Sequence, residues 1–184
     1  MSVSPERARQ VLDTAELIVP ASAVSAAVTR VAREISEKLA DEFPLVLCVM
    51  RGGVIFAGQL LLQLRFPLEV DYLEITRYRN ATVGGEIDWK VTPGTGVAGR
   101  VVLVLDDILD EGKTLAAIRD KVRAAGARGF YSVVFAEKET GRPKPIRADF
   151  VGVRVPDRYV FGFGMDVGGL WRNLPEIYAV KDDR

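Results

Sequence analysis

The chain has 184 residues, 48% of them hydrophobic, which suits one globular domain with a buried core and excludes a disordered polymer. Lysine plus arginine and aspartate plus glutamate each total 25, so the net charge is zero and bulk charge draws the chain to neither nucleic acid nor membrane. Histidine is absent and Cys48 is the one cysteine, which excludes Ser-His-Asp triads, Cys-His pairs, His-ligated metals, internal disulfides and Cys-rich zinc sites.

The first twenty residues are weakly patterned and lack an apolar signal core, and no apolar run reaches membrane-spanning length, so a cytoplasmic protein is expected. From Ser22 the spacing predicts a helix, with Val24, Val28, Val31, Ile35 and Leu39 on one stripe and Arg30, Arg33, Glu34 and Lys38 largely off it. Pro44 opens an apolar run, Leu45 to Met50, which reads as a buried strand with Cys48 packed inside. Arg51-Gly52-Gly53 breaks that run, and Val54 to Leu64 resumes as an apolar helix ended before Pro67. Leu68 to Tyr78 reads as a strand, Asn80 to Gly85 as a loop and Glu86 to Thr92 as a short strand.

Arg100 to Leu105 (RVVLVL) predicts a fully buried strand. Asp106 to Lys113 then reads as a loop, Thr114 to Ala125 as a helix capped by Gly126, and Phe130 to Ala136 as the next strand. Strand, loop, helix and strand make a parallel crossover unit, and Leu45 to Leu64 supplies a second strand-helix step. After Glu137 the pattern becomes short strands with Pro, Gly and charges, read as a small subdomain over the sheet. The whole chain, residues 1–184, is expected to be one domain.

Two motifs mislead. Gly94 to Gly99 spells GxGxxG, but that fingerprint needs a strand before it and a helix after it, whereas Pro93 precedes and a strand follows. Gly112-Lys113-Thr114 looks like the tail of a triphosphate-binding loop, but Asp107 stands where that loop needs its first glycine. The segment VVLVLDDILDEGKTL, Val101 to Leu115, has a different logic. Ligands of open parallel sheets collect outside the carboxyl ends of the strands, and loop N–H groups with a helix N-terminus favour a phosphate there. Asp106, Asp107 and Asp110, with Glu111 beside them, suit sugar hydroxyls, Mg²⁺ or a proton. The bland alternative is a solvated acidic loop capping the helix.

This segment resembles the phosphoribosyl pyrophosphate signature of type I phosphoribosyltransferases, and other segments resemble the hypoxanthine-guanine branch of that family. The resemblance implies that Asp106 and Asp107 face the ribose hydroxyls and the metal, and that Asp110, Glu111, Gly112, Lys113 and Thr114 wrap the 5′-phosphate. Met50-Arg51-Gly52-Gly53 resembles the family's pyrophosphate loop, with Arg51 where the family has Lys. The alternative for Gly52-Gly53 is an ordinary strand-to-helix turn. Ile75-Thr76-Arg77-Tyr78 resembles the lid, Tyr78 matching and Arg77 departing from the usual Ser.

Lys138 falls where the family places its donor to the purine O6, although in Glu137-Lys138-Glu139 it also reads as a solvated charge. Tyr159 and Val160 match the base-holding strand, Asp166 a metal-binding acid placed with the purine residues, and Arg172 a pyrophosphate arginine. The metal set is thus Asp106, Asp107 and Asp166.

The resemblance covers roughly Leu45 to Val180. It implies an α/β fold, a mostly parallel sheet flanked by helices, with a small C-terminal hood built mainly from about 137–184. It further implies a glycosyl transfer in purine salvage, from phosphoribosyl pyrophosphate to hypoxanthine or guanine, with Mg²⁺ as cofactor and Asp110 as catalytic base. A homo-oligomer, dimer or tetramer, is expected, with no nucleic-acid or membrane partner. The rival is a ligand-sensing regulator on the same fold, which would need a basic surface or an added DNA-binding domain.

Overall fold

The computed structural model describes residues 4–77, 87–93 and 96–181. Ser4 accepts from the Arg7 N–H and Pro5 opens the first turn, which starts α1 (Pro5–Thr14). The chain continues through β1 (Glu16–Val19), α2 (Ala21–Leu39), β2 (Leu45–Met50), α3 (Gly53–Leu61), β3 (Glu69–Arg77) and β4 (Ile87–Val91). Then follow β5 (Val101–Leu109), α4 (Lys113–Ala124), β6 (Gly129–Glu139), β7 (Phe150–Pro156), β8 (Val160–Phe161) and β9 (Ile177–Ala179). Among the described residues, no helix is long and apolar enough to cross a membrane.

Six strands form the main sheet in the order β4-β3-β2-β5-β6-β7, parallel throughout except for the antiparallel β3–β4 edge. The expected α/β fold is therefore present. The central strands are apolar on both faces because both faces are covered. Val46, Cys48, Leu103, Leu105, Val133 and Phe135 pack into one core with α2 and α3. Leu45, Leu47, Val49, Val102, Val104 and Val134 pack on the other face against Leu115, Ile118 and Val122 of α4. The α2 stripe behaves as its period requires, with Val24, Val28, Val31, Ile35 and Leu39 each at most 2% exposed. Burying each such side chain stabilises the fold by about 1.5–3 kcal/mol. Gly126 ends α4 at φ +87°, its N–H bonded to the Arg123 carbonyl, a backbone state that costs glycine nothing.

A second sheet, β1-β9-β8, forms the hood. Its make-up corrects two expectations. The first twenty residues supply α1 and the edge strand β1, which pairs Glu16 with Ala179. A four-residue strand carries too little pattern to be legible before its partner is known. Conversely, β7 does not belong to the hood but extends the main sheet, pairing in parallel with β6. Arg158 knits the hood, its guanidinium reaching Glu16 at 2.5 Å and the Val180 carbonyl at 3.0 Å.

The strand ends also moved. β5 does not stop at Leu105 but runs to Leu109, because Asp106, Ile108 and Leu109 continue the ladder opposite Val134, Ala136 and Glu137. β6 likewise continues to Glu139, which puts Lys138 within the strand. α3 stops at Leu61, earlier than Leu64. Residues 96–100 lead straight into β5, so no helix follows the glycine-rich stretch. The expected loop Asn80 to Gly85, with Tyr78, lies outside the described residues.

Candidate active site

The carboxyl ends of β2, β3 and β5 and the start of α4 open onto a cavity of about 560 Å³. Residues 106–115 line one wall, Met50, Arg51 and Gly52 a second, Glu74 and Ile75 a third, and Asp166 with Arg172 the hood side. Asp106, Asp107, Asp110 to Thr114, Arg51, Gly52, Asp166 and Arg172 are thus brought together, as the sequence implied.

Asp106 sits at the floor, 8% exposed, and its Oδ1 accepts from the Asp107 N–H at 2.9 Å. Burial, then the neighbouring Asp107 charge, holds its carboxyl well above the usual range. Asp107 is also raised by burial, with Asp106 hydrogen bonding and the Arg172 charge acting against the rise. Arg172 stands 3.8 Å from Asp107 Oδ2, 2.5 Å from Asp166 Oδ1, and donates to the Gly164 carbonyl at 2.6 Å. Asp166 accepts in addition from the Gly169 N–H at 2.7 Å. Cys48 lies behind this floor, and burial with the two acids pushes its thiol up to about 12, so it stays protonated and packed.

Asp106, Asp107 and Asp166 all line this cavity. Among the described residues no group of three or more His, Cys, Asp or Glu could by itself hold an ion. Arg172 is interposed between Asp107 and Asp166. The paired carboxylates of Asp106 and Asp107 still suit Mg²⁺, a hard cation that takes one or two carboxylates and completes its shell with water and substrate oxygens.

Gly52 has ordinary helical φ, so flexibility does not explain it. A Cβ there would fall 1.9 Å from Asp107 Oδ2. The glycine makes room for the acid. Gly164, at φ +100°, packs on the same turn, where a Cβ would meet the Gly52 carbonyl at 2.2 Å. The Met50–Arg51 peptide is cis. The Arg51 side chain is 76% exposed, with Nε 3.7 Å from Glu74 Oε1.

The loop between β5 and α4 is shorter than the expected Asp106 to Lys113, because β5 runs on to Leu109. Asp110 and Glu111 lead to Gly112, whose φ of +78° turns the chain into α4, with Lys113 and Thr114 in the first turn. N–H groups at such a turn and helix start favour an anion. Glu111, its side chain 46% exposed, pairs with Lys113 at 3.2 Å on the cavity rim.

The purine set is only partly gathered. Lys138 reaches the site through Asp110, its ammonium 3.0 Å from Oδ2 and its side chain 13% exposed. Tyr159, 48% exposed, and Val160, buried in the hood sheet, are not among the residues lining the main cavity. Asp166 sits with Arg172 on the hood side of the cavity. Sequence reasoning missed Glu74, Gly164 and Lys144. Gly164, in the run Gly162-Phe163-Gly164, was open to notice as a glycine pair, while Lys144 carried no local signal.

The phosphoribosyl transferase domain family matches residues 15–168. The hypoxanthine-guanine phosphoribosyltransferase of Bacillus subtilis (strain 168) is 33% identical, over 92% of this chain and 94% of that protein. Its counterpart in Streptococcus thermophilus (strain CNRZ 1066) is 31% identical, over 82% of this chain and 84% of that protein. Among solved structures, a hypoxanthine-guanine-xanthine phosphoribosyltransferase superposes with a TM-score of 0.84 at 28% identity, covering 92% of this chain and 99% of the other.

Proposed function

The chain belongs to the type I phosphoribosyltransferases, in the hypoxanthine-guanine family, and from that premise we propose how its residues divide the work. The reaction is the purine-salvage transfer of phosphoribosyl from phosphoribosyl pyrophosphate to hypoxanthine or guanine, giving IMP or GMP and pyrophosphate. One observation carries the assignment of roles. An acid pair near the end of β5, Asp106 buried and Asp107 partly so, and an anion-binding turn at the start of α4 share one cavity wall.

In that reading, pyrophosphate leaves C1 of the ribose as a purine nitrogen attacks, and positive charge builds on the sugar. No covalent nucleophile is required, which agrees with a chain lacking histidine. Positioning and electrostatics supply the acceleration. Asp106 and Asp107 face the ribose hydroxyls, and the N–H groups of residues 111–114, with Thr114, hold the 5′-phosphate. Arg51 and Arg172 neutralise the departing diphosphate. Asp106, Asp107 and Asp166 would hold Mg²⁺, which when bound adds charge neutralisation at the same diphosphate. Asp110 accepts the purine N7 proton as N9 attacks.

Lys138 donates to the purine O6. Its pair with Asp110 uses one of three ammonium N–H groups. Adenine would present a donor to that ammonium, at a cost of about 1–3 kcal/mol. Tyr159 stacks on the base and the Val160 carbonyl meets its ring edge. Tyr78 belongs to a lid that excludes water from C1. The exposed apolar Leu62, Val70 and Tyr72 support the homo-oligomer, to be checked by sedimentation.

A turnover assay with phosphoribosyl pyrophosphate, Mg²⁺ and each purine tests the reading. Nucleotide formation from hypoxanthine and guanine, and little from adenine, is expected. Donor binding without turnover would favour a ligand-sensing protein instead.

A further inference from the structure

Lys144 belongs to none of the motifs above, yet its side chain is only 11% exposed. Its ammonium donates to the Lys138 carbonyl at 2.7 Å and the Leu109 carbonyl at 3.1 Å, and lies 3.4 Å from Glu137 Oε1. A sheltered cation is costly unless it is met by acceptors, and here three converge on it.

The two carbonyls belong to the strands that carry the reaction. Leu109 ends β5 and hands the chain directly to Asp110. Lys138 lies in β6, and its ammonium pairs with Asp110 at 3.0 Å. The β5–β6 ladder ends with Leu109 opposite Glu137, so beyond that rung no backbone pairing fixes one strand end against the other. Lys144 bridges them at that point. The same turn also braces the phosphate loop. A Cβ built on Gly112 would touch Lys144 Cβ, Pro145 Cδ and Ile146 Cγ2, each at 3.4 Å.

We propose that Lys144 is a positioning residue that holds Asp110 and Lys138 in register, so that the proton acceptor and the purine O6 donor meet one base. The role rests on the assignments of Asp110 and Lys138 made above. A methionine at this position keeps most of the side chain's length but removes the ammonium, which leaves the Leu109 carbonyl without its Lys144 donor and the Lys138 carbonyl with the Thr140 N–H alone. The end of β5 and Lys138 are then free to separate, while the 5′-phosphate loop keeps its packing on Pro145 and Ile146.

The test is steady-state kinetics of full-length Lys144→Met with hypoxanthine, guanine and adenine, alongside donor binding and thermal melting. Expected are a fall of about tenfold or more in kcat/KM for the 6-oxopurines, the scale of one lost charged hydrogen bond, and a narrowed preference over adenine. Donor affinity should stay within about threefold, because methionine keeps the Cβ that packs against Gly112 beside Pro145 and Ile146. In a Lys138→Ala background the same substitution should add little to the loss of base preference, since it acts through Lys138. Lys144→Met that lowers the melting temperature but leaves kcat/KM and base preference unchanged would overturn the proposal and leave a loop anchor. Should Lys144→Met not fold, Lys144→Gln, which keeps donors but not the reach, bears the same comparison. Lys138→Ala and Asp110→Asn alone separate the two levels. If neither alters purine kinetics, the site assignment itself fails; if both do and Lys144→Met does not, only the positioning role fails.

Discussion

Gly52→Ala adds a single methyl where the cavity wall has no room for it. The new carbon would lie 1.9 Å from Asp107 Oδ2, 2.3 Å from its Cγ and 2.8 Å from Oδ1. All three are far inside the roughly 3.5 Å at which non-bonded atoms rest. The carboxylate cannot withdraw freely, because its side chain is only 14% exposed and Arg172 stands 3.8 Å away. The backbone at residue 52 cannot withdraw either, because Gly164 packs on its carbonyl. Overpacking of this kind costs about 1–3 kcal/mol. In a chain of this size each kcal/mol lowers the melting temperature by about 2–4 °C. Donor kcat/KM should fall as well, since the displaced acid faces the ribose in the proposed site. The decisive measurement is a stability cycle with Asp107→Ala, read by melting alone because that substitution removes a proposed site residue. Gly52→Ala should cost at least about 1 kcal/mol less in the Asp107→Ala background. If the two losses instead add to within about 0.5 kcal/mol, Asp107 is not what excludes a side chain at residue 52.

Asp110→Asn should leave donor binding largely intact and slow turnover by roughly a hundredfold or more, read by steady-state kinetics; a near-normal rate removes the base role from Asp110. Glu111→Thr should change the donor KM by less than about tenfold, or about 1.4 kcal/mol, because Lys113, 3.2 Å away, already offsets the Glu111 charge; a larger change would mean that Glu111 acts on the phosphate. Asp106→Asn should stabilise the protein near neutral pH. The folded carboxyl is raised above the ordinary 3.8, so the folded state holds its proton longer, and native stability falls as pH rises from 3.8 to the folded value. Melting from pH 4 to 8 should therefore show the variant's advantage growing with pH and then levelling; an advantage largest at pH 4 contradicts the burial argument.

The parts of this fold that were legible in the sequence are those whose signal is local and repeated. The α2 stripe from Val24 to Leu39 and the run Val101 to Leu105 carry their own period, and both stand where that period placed them. What escaped was settled by partners distant in sequence. Asp106 to Leu109 look like a polar loop until β6 lies alongside and continues the ladder. Glu16 to Val19 are unremarkable until β9 pairs with them. The site divides in the same way. The acids and the turn at Gly112 form one contiguous string, so its chemistry could be read directly. Lys144 could not be read, because its meaning is two carbonyls on two strands. The reason for Gly52 was open to either reading until Asp107 was seen beside it.

The hood sheet imposes an order on how the protein comes into being. Its central strand, β9, is the last of its three to be synthesised, and both β1 and β8 hydrogen-bond to it. Every strand of the main sheet has been made by Pro156, before Ile177 leaves the ribosome. A nascent chain can thus complete its large sheet while β1, made among the first residues, still waits with an open edge. Loop closure across that separation comes late and joins sequence extremes, a long-range contact of the kind that slows folding. Removing β9 would leave both neighbours unpaired at once, so damage near that end of the hood would be felt at Glu16 and at Val160 together.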